Sequence, residues 1–302
     1  MKKKCTLIAT LPNLVSLDRV RRILENPFVA AARFNTGVAT LMDEISTVAL
    51  LNGLSEEYQK PIWLDIKGRQ LRIVRWADPQ YEAIELSHAI SVVYPARIHF
   101  RGGEPRNIVR CRGNRILVDP LPSEALGAGQ SVNILAKELV VEGYLTETDK
   151  RYLSAGAGSN LKLVMASFVE SLSDLSDVRQ FMPDATIVAK IESPKGLNFV
   201  RSLTGLDGIN LMAARDDLYI ETGQKPVEFL EHLRAIIMSD PGAICASRIF
   251  SSIESQGQVS FADFADLTLM YELGYRHFML GDNICNRHFE AAISAWQEFV
   301  DE

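Results

Sequence analysis

Short apolar runs alternate with longer segments of helical periodicity along most of this chain. That rhythm points to a parallel sheet with crossover helices. Thr6–Thr10 reads as a strand and Leu17–Leu24 as a helix with Ser16 as its cap. Ala31–Thr36 is a strand, Ala39–Leu51 a helix and Pro61–Ile66 a third strand. After a break, Thr146-Glu147-Thr148-Asp149 opens a helix in a capping-box pattern. The strand Leu161–Phe168 and helix Leu172–Phe181 follow, then Ala185–Glu192 with Lys195–Leu203 and Gly208–Ala213 with Val227–Met238. Ala243–Ile249 with Phe261–Leu273, and His277–Leu280 with Phe289–Phe299, complete eight strand–helix units.

Eight units is the number for a (β/α)8 TIM barrel of the α/β class. The competing architecture is an open doubly wound sheet, but no strand-linked G-x-G-x-x-G supports it. Gly127-Ala128-Gly129 and Gly156-Ala157-Gly158 read as flexible loop glycines. The break itself, from about Gly68 to Glu142, holds strand-like runs and turn residues without an amphipathic helix. The runs are Leu71–Trp76, Ile98–Arg101, Ile108–Cys111, Ile116–Asp119 and Ser131–Leu135. Arg112-Gly113-Asn114-Arg115 reads as a hairpin turn, with Gly113 and Asn114 able to take positive φ. The expected organisation is a barrel from residues 1–67 and 143–302, interrupted after the third strand by a small β-rich insertion, 68–142.

Apolar residues make up 47% and charged residues 23% of the 302, a globular composition. The net charge of -6, with Lys2-Lys3-Lys4 as the basic tract, argues against a general nucleic-acid binder and leaves room for a local phosphate pocket. Cys5, Cys111, Cys245 and Cys285 show no metal-ligand spacing and suit reduced thiols in a cytoplasm. Pro12 and Asn13 end the first apolar run too early for a signal peptide, and no stretch is long enough to span a membrane.

Two runs end abruptly in charge: Ile187-Val188-Ala189-Lys190-Ile191-Glu192, and Leu211-Met212-Ala213-Ala214-Arg215-Asp216-Asp217. A charged residue where a buried parallel strand emerges is placed for chemistry. Lys190 and Glu192, two apart, point to one face of an extended chain. Glu192 and Asp217 could hold a hard divalent cation, and Lys190 an anion or a proton. The plainer reading is a surface Lys–Glu pair and a loop aspartate.

Six segments in order resemble the pyruvate kinase family. Arg33-Phe34-Asn35-Thr36-Gly37 is similar to its R-L-N-F-S, and Leu64-Asp65-Ile66-Lys67-Gly68-Arg69-Gln70-Leu71-Arg72 to L-D-T-K-G-P-E-I-R. Ala166-Ser167-Phe168-Val169 matches A-S-F-V/I, and Ala189-Lys190-Ile191-Glu192 resembles S-K-I-E. Met212-Ala213-Ala214-Arg215-Asp216-Asp217-Leu218 resembles M-V-A-R-G-D-L, and Ile244-Cys245-Ala246-Ser247 resembles I-C-A-T. The resemblance implies a barrel interrupted by a β lid after its third strand. It implies Mg²⁺ or Mn²⁺ on Glu192 and Asp217, with Arg33, Arg72 and Lys190 around the phosphoryl group of phosphoenolpyruvate. Lys190 would also stabilise the enolate. Ser247 would lie near the carbon that gains a proton, and backbone amides around Arg215, Asp216 and Asp217 would take the substrate carboxylate. ADP or ATP is the implied second partner, and homo-oligomerisation is left open. Among the neighbours, Asp65 either bonds nearby backbone or serves the site, Lys67 reads as structural, Asn35 serves as a turn residue or a ligand holder, and Ser247 either fills a buried turn or serves the site.

Departures from the family pattern sharpen the expectation. The serine and threonine that help hold potassium read Gly37 and Ile66 here, so the potassium site reads as lost. The histidine after that serine reads Val38. Arg69-Gln70 replaces P-E and is expected to add positive charge at the mouth. Asp216 replaces a glycine and is expected to narrow the carboxylate pocket and add negative charge. Gly129-Gln130-Ser131-Val132-Asn133-Ile134 stands where the family's lysine-bearing loop meets V-N-L-P-G. The family's C-terminal domain has no counterpart before Glu302, so no response to fructose 1,6-bisphosphate is expected. The overall expectation is a metal-dependent enzyme that stabilises the enolate of a 2-oxo acid, with phosphoryl transfer favoured. The alternatives are an aldolase or decarboxylase using the same enolate, or a non-catalytic ligand-binding relative.

Overall fold

The computed structural model describes residues 3–100, 104–122, 126–206 and 208–301. Eight parallel strands close into a barrel: β1 (Thr6–Thr10), β2 (Val29–Asn35), β3 (Ile62–Ile66), β4 (Leu163–Ala166), β5 (Thr186–Ile191), β6 (Ile209–Ala214), β7 (Ile244–Ala246) and β8 (His277–Leu280). Each pairs with the next, and β8 returns to β1 through Thr6↔His277. β3 pairs directly with β4, Leu64 opposite Val164, so the ring closes without help from the long segment between them.

The two-residue period of a strand sorts the side chains into two layers. Outward residues such as Leu7, Phe34, Leu64, Ile187, Ala189 and Ile191 pack beneath the helices. Inward residues Ile8, Ala31, Met165, Val188, Met212, Ile244 and Met279 fill the barrel, with Trp63 beside them. Side-chain layers of this kind make the interior a packed core rather than a pore. One inward step further along β1, β2, β3 and β5 the residues are Thr10, Arg33, Asp65 and Lys190. The apolar plug therefore ends under a polar floor.

The long helices fall where periodicity placed them, with Leu172–Phe181 and Phe261–Leu273 agreeing at both ends. The capping box at Thr146 and Asp149 is present. The second helix starts at Glu44 rather than Ala39, because Asp43 caps it by accepting the Ser46 amide at 2.7 Å. β7 stops at Ala246 because Ser247 and Arg248 turn to φ +65° and +56°. Gly156 is not a loop glycine. It sits inside the helix Glu147–Ala157 with Met182 and the Leu161 carbonyl where its Cβ would lie. Three short helices, Arg215–Glu221, Ser251–Gln256 and Asp282–Arg287, were not legible, since so few residues carry no readable period.

The inserted segment builds its own structure. Ile84–Glu85, Arg115–Asp119, Arg106–Arg112, Ala96–Phe100 and Val132–Ala136 form a five-stranded antiparallel sheet in that spatial order, and Leu139–Val141 pairs with Ile90–Val92. Their core (Ile73, Ile84, Leu86, Ile98, Ile116 and Ile134 among others) is a cluster separate from the barrel's. The expected hairpin turn is present, but only Gly113 takes positive φ, at +60°. Leu71–Trp76 makes isolated bridges at Arg72 and Ile73 instead of a full strand. Arg101, the expected end of one run, and Lys2 of the basic tract lie outside the described residues. At the neck, Asp149 accepts the amides of Lys67 and Gly68 at 2.8 and 3.1 Å. Gly68 has φ +48°, and a Cβ there would meet the Ser167 carbonyl at 2.6 Å. Among the described residues no helix is long and apolar enough to cross a membrane.

Candidate active site

The polar floor is organised around one carboxylate. Asp65, fully buried, accepts Arg33 through Nε at 2.8 Å and through Nη2, Lys190 Nζ at 3.3 Å and Lys67 Nζ at 3.4 Å. Arg33 is held at its other edge by Thr10 Oγ1 at 3.0 Å and Asp282 Oδ2 at 2.9 Å, while Asn35 Nδ2 donates to the second oxygen of Asp282. Lys190 donates to Ser167 Oγ at 2.7 Å and lies 3.2 Å from Glu192 Oε1. Glu192 Oε2 accepts the amide of Phe168 at 2.7 Å. Phe168 adopts φ +52° there, a strained conformation for a bulky side chain that persists only where the surroundings enforce it.

Burial and charge oppose each other at every member of this cluster. Burial disfavours ionising Asp65, but Arg33, Lys190 and Lys67 hold its carboxyl far below the usual range. Burial also disfavours the Lys190 ammonium, yet Asp65 and Glu192 hold its pKa above the ordinary value. Lys67 is less well compensated: burial, then the nearby Arg72, Arg33 and Lys190 charges, bring it down to about 7 against the pull of Asp65. Glu192 is pushed up to about 7 by burial, with Asp217 adding repulsion that Lys190 only partly offsets.

Asp217 lies in the short helix after β6 and accepts Asn133 Nδ2 at 3.1 Å and Gln70 Nε2 at 3.4 Å, both from the inserted segment. Asn133 donates also to Glu221 Oε1 at 3.0 Å, and burial raises Glu221 to about 8. A cleft of about 440 Å³ opens between barrel and lid, lined by Arg33, Asn35, Lys67, Arg72, Lys190, Glu192, Asp216, Asp217 and Ser247. Mixed charge at the C-terminal end of a parallel barrel is where such a fold keeps its chemistry.

A family model described as "Pyruvate kinase, barrel domain" matches residues 107–281, more than half of the chain. The chain belongs to the pyruvate kinase family. Curated relatives include a pyruvate kinase of Chlamydia muridarum, 24% identical, covering 100% of this chain and 69% of the relative. A pyruvate kinase of Thermoplasma acidophilum is 23% identical over 88% of this chain and 52% of its own length. Human pyruvate kinase PKLR is 27% identical over 83% of this chain and 46% of its own length.

Most residues singled out by the pyruvate kinase motifs meet in the cleft. The Arg215 side chain does not: its guanidinium bonds Asp266 at 2.7 and 2.9 Å and the Ser247 carbonyl at 2.7 and 3.0 Å, clamping the loop after β7 from below. Arg69 adds no charge to the mouth. It turns away to grip Asp174 at 2.6 and 2.8 Å and to cover the Tyr144 ring. Lys67, read as structural, lines the cleft, and Asp65 bonds no local backbone but gathers the cations. Ile66 faces the helix layer. Thr10, Ser167, Gln70, Asn133 and Asp282 were missed. Thr10 was within reach of the two-residue period, one inward step past Ile8, whereas Asn133 and Asp282 are brought in only by tertiary structure. Among the described residues no group of three or more histidine, cysteine or carboxylate side chains is arranged as a metal cage.

Proposed function

We propose that this protein is a divalent-metal-dependent phosphotransferase of the pyruvate kinase type, acting on phosphoenolpyruvate or pyruvate with an adenine nucleotide. The observation that carries the reading is the placement of Lys190 between Asp65 and Glu192, beside Arg33, Lys67 and Arg72 at one wall of the cleft. Arg33 and Arg72 suit the phosphoryl oxygens, which guanidinium groups can grip bidentately. As the P–O bond breaks, its electron pair stays on the enolate oxygen, where the Lys190 ammonium stabilises the growing charge. Ser247, at the opposite wall, suits the carbon that then takes a proton. With four free cysteines, the reading favours a reducing cytoplasm. Phosphorus NMR of the protein with Mg²⁺, phosphoenolpyruvate and ADP tests it. ATP formation is expected. Solvent exchange of pyruvate methyl protons without any ATP would overturn phosphoryl transfer in favour of lyase chemistry.

The residues fit a divalent ion. Glu192 is buried, the nearby Asp217 carboxylate adds to its cost of ionisation, and a cation between the two would relieve that cost. Two carboxylates leave the rest of an octahedral shell to water and substrate oxygens, as Mg²⁺ prefers. When bound, the ion would supply Lewis-acid polarisation of the substrate oxygen. Glu192→Ala and Asp217→Ala are each expected to weaken Mn²⁺ binding at least about tenfold while the far-ultraviolet circular dichroism stays unchanged. Unchanged Mn²⁺ affinity in either variant would refute this site.

The reading also predicts independence of potassium. A Cβ at Gly37 would lie 2.8 Å from Lys67 Cε and 3.0 Å from Arg72 Nη1, so the space beside this glycine is already taken by two cationic side chains. Gly37→Ser, which restores the family's hydroxyl, is therefore expected to lower activity by forcing Lys67 and Arg72 aside, without creating potassium dependence. Rates in potassium against tetramethylammonium at constant ionic strength check both proteins. A large potassium activation of either would contradict the account.

A further inference from the structure

The cleft has a second cationic feature that phosphoryl binding does not use. Arg33 spends four of its five N–H donors on Asp65, Thr10 and Asp282, and Arg72 spends three on Gln70 and the Gly129 carbonyl, so what these two keep serves the phosphoryl group. Arg248 stands on the opposite wall, immediately after Ser247, and lines the same cleft. Its Nε donates to Asp216 Oδ1 at 2.9 Å, and its Cζ lies 4.3 Å from the centre of the Tyr219 ring. These two contacts fix the plane of the guanidinium. Among the described residues neither Nη atom has a hydrogen-bond partner. The side chain is 38% exposed, so the fork is held in place and open to a ligand.

The backbone beneath it is unusual in the same way. Ser247 and Arg248 both take left-handed φ, +65° and +56°. Non-glycine residues hold that conformation only where it is enforced, and Arg215 enforces it here through the Ser247 carbonyl. Asp216, whose charge was expected to burden the carboxylate pocket, is neutralised by Arg248.

We propose that the substrate carries a second acidic group beyond carbon 3, and that Arg248 receives it: the preferred class is a 2-oxo dicarboxylic acid or its enol phosphate. This rests on the reading of the cleft as a 2-oxo-acid site with Ser247 near carbon 3, because Arg248 directly follows Ser247 and lines the same cleft. A planar fork with two free amino groups matches a carboxylate bidentately, and Asp216 with Tyr219 pre-orders it, which reduces the cost of binding.

The test compares 2-oxoglutarate with 2-oxopentanoate, equal in length but lacking the distal charge, and with pyruvate, by calorimetry with Mn²⁺. Wild type is expected to bind 2-oxoglutarate about tenfold more tightly than 2-oxopentanoate, the scale of a charge-assisted hydrogen-bonded pair. Arg248→Gln should bring that ratio to about one. Asp216→Asn, which keeps an oxygen for Nε and so the ordered fork but removes the competing charge, should raise the ratio, and a fall would count against Arg248 even if Arg248→Gln fails to fold. Equal affinity for the two acids in wild type, or an unchanged ratio in Arg248→Gln, would overturn the assignment of Arg248 while pyruvate binding left the 2-oxo-acid site standing. Binding of none of the three would overturn both.

Discussion

Asp65→Ala is expected to cost about 3–5 kcal/mol of stability at neutral pH, the range found when one partner of a buried ion pair is removed. The reason is that Arg33, Lys67 and Lys190 would remain buried without their common counter-ion. For a domain of this size each kcal/mol moves the melting temperature by about 2–4 °C, so a fall on the order of 10 °C should be seen by calorimetry. The pH dependence has a definite sign. The folded carboxyl titrates far below its unfolded value of about 4, so its stabilisation is complete above that value and is lost as pH falls. Wild type and Asp65→Asn should therefore differ most near neutrality and converge in acid. Equal melting temperatures at pH 7 would show that the three cations find other compensation.

Lys190→Met should lower turnover by about 10³-fold or more, because a preorganised charge in a dry site is worth several kcal/mol where charge develops in the transition state. Methionine keeps most of the volume, so the packing over Met165 and Val188 should survive. Glu192 loses its ammonium neighbour in this variant and is raised further above its wild-type value of about 7, so Mn²⁺ affinity is compared in a pH series carried to the alkaline end. There it should stay close to wild type. If wild type turns over phosphoenolpyruvate and the variant keeps near-normal turnover, Lys190 is structural and the proposed mechanism falls.

What was legible in the sequence was whatever depends on spacing along one element. Lys190 and Glu192 share a face because they are two apart where β5 ends, and Val188 beneath them belongs to the barrel interior. The same period could have carried Thr10 into the site from Ile8. What was not legible depends on which strands become neighbours. Asp65 collects Arg33 from β2 and Lys190 from β5, a grouping fixed by register around the ring rather than by local pattern. Asp216 was recognised as a departure from the pyruvate kinase pattern, but its neutralisation by Arg248 required β6 and β7 to lie side by side. Arg69 was misjudged, and the turn of the Arg215 side chain was not legible, for one reason: a motif fixes where the backbone passes and not where a long side chain turns. Each turned toward a carboxylate, Asp174 or Asp266, supplied by a helix of the outer layer.

The separate cores of lid and barrel set the terms on which the cleft can open. Swinging the inserted sheet away about its neck leaves both apolar clusters intact. The losses are polar, among them Asn133 to Asp217 and Glu221, and Lys195 to the Leu139 carbonyl. Such bonds are worth about 0.5–1.5 kcal/mol each once water replaces the partner. An open form would then differ from this one by a few hydrogen bonds, a gap that a ligand touching both walls would close. A ligand tilts that balance only by its difference in affinity for the two forms. Residues spanning the gap, rather than those tightest on either wall, would therefore decide how firmly the cleft shuts.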